Sequence, residues 1–383
     1  NNDGLPDLFF TGGPVGNKLY LQTEKLTFRD ATKEAGVAGD HAWATGTAMI
    51  DIDNDGDLDI YVCNYDVANS LYINNGNGSF TESAKAFKLD LVAAGHTPAF
   101  CDFNLDGHLD LYLMTNFFYD PRGKTNKSIA IMGKDGKPTI HPDYSKFYGI
   151  TDIKPGDTPG SISVDWDTVG QSDFFLKNNG DGTFSQINQP GQLVGKGNAA
   201  IWWDPDDDGR PDLYVANDFE GADFFLKNTP QGAMENTVGS AFPHITWFSM
   251  GADSADLDGD GLPDLMVADM SGTNHFKQKI GMGAMSDNAE FLATAFPRQY
   301  MRNTVFINTG TSRFREAAHM SGLANSDWTW TVRLSDFDND GKVDVFLTNG
   351  MAVNLNVADN PATMTVLPGE TEWAKHIRAG TGP

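Results

Sequence analysis

One aspartate-rich loop recurs six times along the chain, and any fold must accommodate all six. The complete copies place Asp51, Asp53, Asp55, Gly56 and Asp59 at positions one, three, five, six and nine. The others are Asp102, Asn104, Asp106, Gly107 and Asp110; Asp204, Asp206, Asp208, Gly209 and Asp212; Asp256, Asp258, Asp260, Gly261 and Asp264; and Asp336, Asp338, Asp340, Gly341 and Asp344. A sixth copy opens the chain and retains Asn1, Asp3, Gly4 and Asp7. Oxygen side chains at one, three and five wrap a cation, glycine at six permits the sharp turn, and the aspartate at nine closes the shell. Hard oxygen donors with no adjacent His or Cys favour calcium over zinc or copper, and about five or six ions are expected. Asp-Gly clusters are also ordinary turn formers, but five full copies with the same ligand positions argue for metal. An EF-hand array is not expected. No Glu follows at position twelve, and β-formers such as Ile60-Tyr61-Val62, Leu111-Tyr112-Leu113 and Leu213-Tyr214-Val215 come after the loops where a helix would be needed.

The spacing of the loops sets the architecture. Starts at 51 and 102 are 51 residues apart and those at 204 and 256 are 52 apart. Each period holds a small-residue strand before the loop, a strand after it, an apolar triplet and a tight turn. The triplets are Leu19-Tyr20-Leu21, Leu71-Tyr72-Ile73, Phe174-Phe175-Leu176, Phe224-Phe225-Leu226 and Val305-Phe306-Ile307. Turns such as Asn74-Asn75-Gly76 and Asn178-Asn179-Gly180 complete hairpins. A period near 50 with four short strands predicts an all-β fold, a calcium-binding β-propeller of four-stranded blades, within one domain over 1–383.

Two irregularities interrupt the period. From the ninth loop position to the triplet is 12 residues in three units, but 41 from Asp264 to Val305 and 64 from Asp110 to Phe174. The excesses define insertions at approximately 117–172 and 272–300. The second contains a helix-capable stretch after Ser286-Asp287-Asn288 and is expected to run over one face of the disc. The first is about one repeat long. Gly160 to Asp167 resembles an inner strand entering a degraded loop, so seven blades are favoured, with six as the alternative.

The net charge of −25 is partly a metal-site signature, since five divalent ions would return ten charges. Such a surface argues against nucleic acid. No transmembrane segment or signal peptide is apparent, and the chain opens inside a loop motif, so an N-terminal piece is expected to be missing or processed, with a missing C-terminal segment as a further option. Cys63 and Cys101 flank neighbouring loops; a disulfide is one option, and buried free thiols are the commoner state for apolar strand cysteines.

The loop-strand-turn unit resembles the FG-GAP/VCBS repeat of integrin α-subunit propellers and bacterial surface proteins. Trp247 to Asp256, Tyr300 to Asn308 and Asp327 to Asp336 are similar to the bacterial group related to cartilage acidic protein, often associated with an ASPIC/UnbV region. The resemblance implies a calcium-bearing propeller that is extracellular, at the cell surface or periplasmic, and that works by binding.

Catalytic signatures are not evident. There is no HExxH, P-loop, GxSxG or CxxC, and the eight histidines are scattered singly. The expected function is a non-enzymatic scaffold for a protein or glycan partner. One alternative is a subunit of a larger surface assembly docking through the insertions, and another is a calcium-dependent polysaccharide lyase or sugar dehydratase. Candidate ligand contacts are Trp43, His96, Trp202, Trp247, Trp328 and Trp330, all at or within the first strand of a unit, where a propeller lines its central channel. The competing expectation is that these rings are core between blades. Arg298, Arg302 and Arg333 are secondary candidates for anion or peptide contact, with surface ion pairing as the favoured expectation.

Overall fold

The second strand of each unit explains the architecture. Ile60-Tyr61-Val62-Cys63, Leu111-Tyr112-Leu113-Met114 and Leu213-Tyr214-Val215-Ala216 are fully buried. Alternate residues of a strand face opposite sides of its sheet, so a continuous apolar run requires cover on both faces. The cores supply it. Ile60 and Val62 pack with Leu19, Leu21 and Tyr72 of the preceding side. Tyr61 and Cys63 pack with Leu111, Leu113 and Phe184 of the following one. Tyr112 and Met114 then meet Leu213 and Val215, Tyr214 and Ala216 meet Leu265, Val267 and Phe306, and Met266 meets Val332 and Leu334. Each core lies between consecutive sheets, which gives a propeller-like succession.

The computed structural model describes residues 3–350, apart from 14, 40–41, 121–127, 157, 159–160, 188–192, 220, 275–276 and 279–288. Units two to five are antiparallel four-stranded meanders. Unit two comprises Ala44–Ile50, Asp59–Ala68, Ser70–Asn74 and Phe80–Glu82. Unit three comprises Val92–Cys101, Asp110–Thr115, Phe174–Asn178 and Phe184–Ile187. Unit four comprises Gly197–Trp203, Asp212–Asn217, Phe224–Asn228 and Met234–Asn236. Unit five comprises Ala252–Ala255, Asp264–Val267, Thr304–Asn308 and Phe314–Glu316. Unit one shows three strands, Leu8–Phe10, Lys18–Glu24 and Thr27–Asp30. Unit six pairs Asp327–Ser335 with Asp344–Asn349, and Met270–Ser271 adds to its first strand. Units two and three are further joined through Tyr65↔Ala94 and Ala68↔Val92.

Strand pairing corrects the favoured interpretation of 117–172 as a damaged seventh blade. Asp110–Thr115 pairs directly with Phe174–Asn178. The intervening chain forms two separate hairpins, Ala130–Met132 with Pro138–Ile140 and Tyr148–Pro155 with Ile162–Thr168. The second hairpin is largely exposed, so it lacks the two-sided cover that defines the units. The segment is an insertion in unit three, and the described residues hold six units. The unit-five insertion holds the expected helix, Ala289–Thr294, and Gln299–Tyr300 pairs in parallel with Ile245–Thr246. The proposed capping residues Ser286, Asp287 and Asn288 lie outside the described residues.

Both insertions leave between second and third strands, the end opposite the aspartate loops. A buried or largely buried side chain holds that end together in units two to five. Asn69 accepts from Asn64 N at 2.8 Å, Asp173 from Thr115 N at 2.7 Å, Asp223 from Asn217 N at 2.8 Å and Asn303 from Asp269 N at 2.8 Å. The hydroxyls of Tyr112 and Tyr214 donate to Asp173 and Asp223, each at 2.5 Å. Burial raises Asp173 to about 6 and Asp223 to about 7. Because the strands are clamped here, chain of any length can leave and return. Tyr214→Phe removes a donor from buried Asp223 and should cost about 1–3 kcal/mol. The check is urea unfolding, where a lower midpoint at unchanged slope is expected.

Candidate metal centres and channel

The aspartate loops are shaped by their own backbone. At position one, Asp51 accepts from the N–H groups of Asp55 and Gly56, both at 3.0 Å. Asp102, Asp204, Asp256 and Asp336 repeat the pattern with the N–H groups of positions five and six, at 2.8–3.2 Å. Glycine at six has φ between 79° and 92° in the five loops, a region nearly closed to other residues. Position four is also left-handed, with φ of 61° at Asn54, 60° at Leu105, 53° at Asp207, 79° at Gly259 and 61° at Asn339. The sequence reading did not mark that position. Asn, Asp and Gly tolerate it, and Leu105 is the exception.

Position nine ties the loop to the rest of its sheet. Asp59 Oδ2 accepts from Ile52 N at 3.1 Å and Oδ1 from Asn74 N at 2.7 Å. Asp110, Asp212 and Asp264 accept from Asn178, Asn228 and Asn308 N at 2.7–2.8 Å. Asp7 accepts from Gln22 N at 2.9 Å, and Asp344 from Phe337 N at 3.0 Å. The asparagines end the third strands of units two to five, with Gln22 in their place in unit one; in the sequence Asn74 and Asn178 read only as turn residues. Their side-chain amides donate to the loop as well, from Asn74 to Leu58 O and from Asn178 to Leu109 O. Asn228 and Asn308 reach further, to Phe103 O and Pro205 O in the preceding unit's loop, at 2.7 and 2.6 Å. These contacts shift two triplets by one residue. The equivalents of Leu71-Tyr72-Ile73 are Phe175-Leu176-Lys177 and Phe225-Leu226-Lys227, because Ser70 and Phe224 hold the same register opposite Val62 and Val215.

Carboxylate oxygens converge in four loops, within 4.8 Å of one another: Asp51, Asp53 and Asp59; Asp204, Asp206 and Asp208; Asp256, Asp258 and Asp260; Asp336, Asp338 and Asp344. Asp55, Asp212, Asp264 and Asp340 complete the expected sets at the loop positions just described. Each oxygen that accepts a backbone N–H retains a second lone pair to offer inward. The all-oxygen, acid-rich donor set fits a hard divalent cation such as calcium. In unit three Asp102, Asp106 and Asp110 surround Asn104, whose amide donates to Asp110 at 2.8 Å. Unit one contributes Asp3 and Asp7, and Asn1 lies outside the described residues.

The channel candidates do not gather at one mouth. Trp247 is buried and stacks on Phe248, within a core that includes Met250 and Met270 and receives Trp328. Trp202 stacks on Phe103 and donates to Ala99 O at 3.2 Å. His96 contacts Thr97 Oγ1 at 3.1 Å, and burial pulls its pKa down. Trp43 is exposed beside Gly13. Trp330 is half exposed, and together with Trp202, Phe100, Asn198, Asp253 and Arg333 it lines a cavity of about 420 Å³ bounded by first strands of units three to six. Arg333 pairs with Asp253 at 3.7 Å, and Arg298 carries the carbonyl that receives Ile245 N. Arg302 is a structural node, contacting His244 at 2.8 Å, His319 at 2.6 Å and Glu316 at 3.1 Å. Cys63 and Cys101 are both free.

Burial, joined by repulsion from neighbouring loop carboxylates, raises Asp59 to about 6 and Asp110 and Asp212 to about 7. Unfolded aspartate titrates near about 3.9. Between those values the ion-free fold binds more protons than the unfolded chain. The stabilisation from protonated carboxyls is therefore present below about pH 4 and lost as pH rises through 6 to 7. A bound cation favours the ionised form and must displace those protons. Calcium titration calorimetry at pH 6, in two buffers of different ionisation heat, should show proton release that vanishes at pH 8. Asn308→Ala leaves Pro205 O and Pro263 O without their donor and should cost about 1–3 kcal/mol in denaturant unfolding.

The FG-GAP-like repeat is matched over residues 1–62, 51–113, 204–267 and 288–347. Cartilage acidic protein 1 of Homo sapiens is 26% identical over 180 residues, covering 44% of this chain and 25% of that protein. Its Mus musculus counterpart is 25% identical over 180 residues, covering 44% and 26%. The chain thus spans about a quarter of the length of these relatives. Among solved structures, an Agrocybe aegerita lectin that recognises non-reducing terminal N-acetylglucosamine shows a TM-score of 0.36 at 15% identity, covering 90% of this chain and 84% of the lectin. The V. cholerae biofilm matrix protein Bap1 shows a TM-score of 0.26 at 16% identity, covering 60% and 36%. With its loops, strand order and repeat matches spread over more than half of its length, the chain belongs to the FG-GAP-like repeat family.

Proposed function

We propose that the protein is a calcium-stabilised β-propeller, acting outside the cytoplasm as a non-enzymatic scaffold for a protein or glycan partner. Its blades are the six units described above. One observation carries this reading: in unit two the carboxylates that converge are the same groups that bind the loop backbone and the third strand, and the other complete loops repeat the backbone bonds. Asp59 joins Ile52, Asn74 and the Asp51 and Asp53 cluster. A cation placed there holds a sheet together, which is the work of a structural ion. Loops of this kind with modest affinity fill in the calcium-rich medium outside cells, in keeping with the name of the curated relatives. Among the described residues no helix is long and apolar enough to cross a membrane.

Docking within a larger assembly is a second reading, favoured by the second hairpin of the unit-three insertion. Ile153, Ile162 and Trp166 are each 41–51% exposed there, a display of apolar surface that a partner would cover. Thermal unfolding in millimolar calcium and again after chelation tests the first reading. Mass action over several sites predicts a calcium-reversible fall of about 10 °C or more. An identical transition in both conditions would overturn it.

A further inference from the structure

The corrected register brings two lysines into the loops. Lys177 and Lys227 precede Asn178 and Asn228, where units two and five carry Ile73 and Ile307 and unit one carries Leu21. Ile73 and Ile307 pack against the cores between units. The lysines send their ammonium groups to the aspartates. Lys177 Nζ lies 3.2 Å from Asp106. Lys227 Nζ pairs with Asp206 and lies 3.9 Å from Asp208, which Arg210 also engages.

The formal charge facing a cation therefore differs among the loops. Units two and five each keep four carboxylates, and among the described residues no Lys or Arg pairs with them. Unit three has three carboxylates, since Asn104 is neutral, less one ammonium, leaving two negative charges. Unit four has four carboxylates less Lys227 and Arg210, again leaving two. Unit six has four, offset only by Lys342, 3.8 Å from Asp340 and 83% exposed. Calcium affinity in oxygen-ligand loops follows ligand charge, and an ammonium a few ångströms from a divalent ion repels it.

We propose that Lys177 and Lys227 are built-in counterions that divide the loops into two classes: tight calcium sites in units two and five, and weak, exchangeable ones in units three and four. Unit six falls nearer the tight class. In the weak class the lysine holds the loop in shape when calcium is low, and calcium must displace it to bind. The two weak loops are adjacent, and unit three also bears the longer insertion. The calcium-sensitive part of the disc is thus confined to one sector. This inference rests on the calcium-scaffold reading.

The test is native mass spectrometry and calorimetry of the full chain during stepwise calcium addition. The wild type should fill units two and five first, and units three and four with affinity lower by about tenfold or more. Lys177→Gln and Lys227→Gln should each move one ion from the weak to the tight class. They should also lower the melting temperature in chelator while raising it in calcium. Lys177→Arg should keep the weak class. Ile73→Lys, the reverse change, should remove one tight ion, and it decides the matter should a Lys→Gln variant not fold. A wild type that binds no calcium would overturn the scaffold reading itself. Equal affinity at all loops, unmoved by Lys→Gln or Ile73→Lys, would overturn only the counterion role.

Discussion

Everything in this structure depends on how each loop disposes of its crowded carboxylates. Three or four acids within nine residues repel one another, and burial of the ninth makes ionisation harder still. The fold answers with donors. Two backbone N–H groups meet the first aspartate, and the third strand meets the ninth through its terminal asparagine. These bonds turn a repulsive cluster into the point where three parts of a sheet join. They also leave the inward lone pairs facing each other, which is the arrangement a divalent cation completes.

The same logic fixes the relation between neighbours. Alternation along the second strand sends Tyr61 and Cys63 to one core and Ile60 and Val62 to another. No unit can bury both faces by itself, so its stability is shared with the units on either side. The bonds from Asn228 to Phe103 O and from Asn308 to Pro205 O add a polar link along the same direction. An unsatisfied carbonyl there would be left at a buried junction, so these asparagines couple the geometry of one loop to the next.

Much of this was legible from residues. The loop motif, the strands after it and the period near 50 follow from spacing and apolar pattern, and counting from the ninth aspartate shows where the period lengthens. What escaped has a physical reason. Phe174-Phe175-Leu176 matches the apolar triplet as well as Phe175-Leu176-Lys177, and it is the pairing of Phe174 with Leu113, together with the bond from Asn178 N to Asp110, that fixes the register. Gly160 to Asp167 carries strand propensity, but propensity cannot tell a hairpin from a blade. Two-sided cover decides that, and it is a property of neighbours. The tryptophans were grouped by position along first strands. Side-chain direction separates them, sending Trp247 into the core and leaving Trp330 on the cavity.

The two ends of the disc are under different constraints. At the aspartate end, loop length is invariant because positions one, five, six and nine all bond within a fixed span, and an added residue would break the set. At the opposite end, a single buried Asn or Asp joins second strand to third, and what lies between is free to vary. Thr115 N meets Asp173 across the longer insertion just as Asn217 N meets Asp223 across a short turn. The first end is therefore where the carboxylates that could hold a cation are gathered, and the second is where chain can be added without disturbing the cores. The exposed Ile153, Ile162 and Trp166 lie on such an addition, so the surface that most invites a partner is also the one the propeller-like frame least depends on.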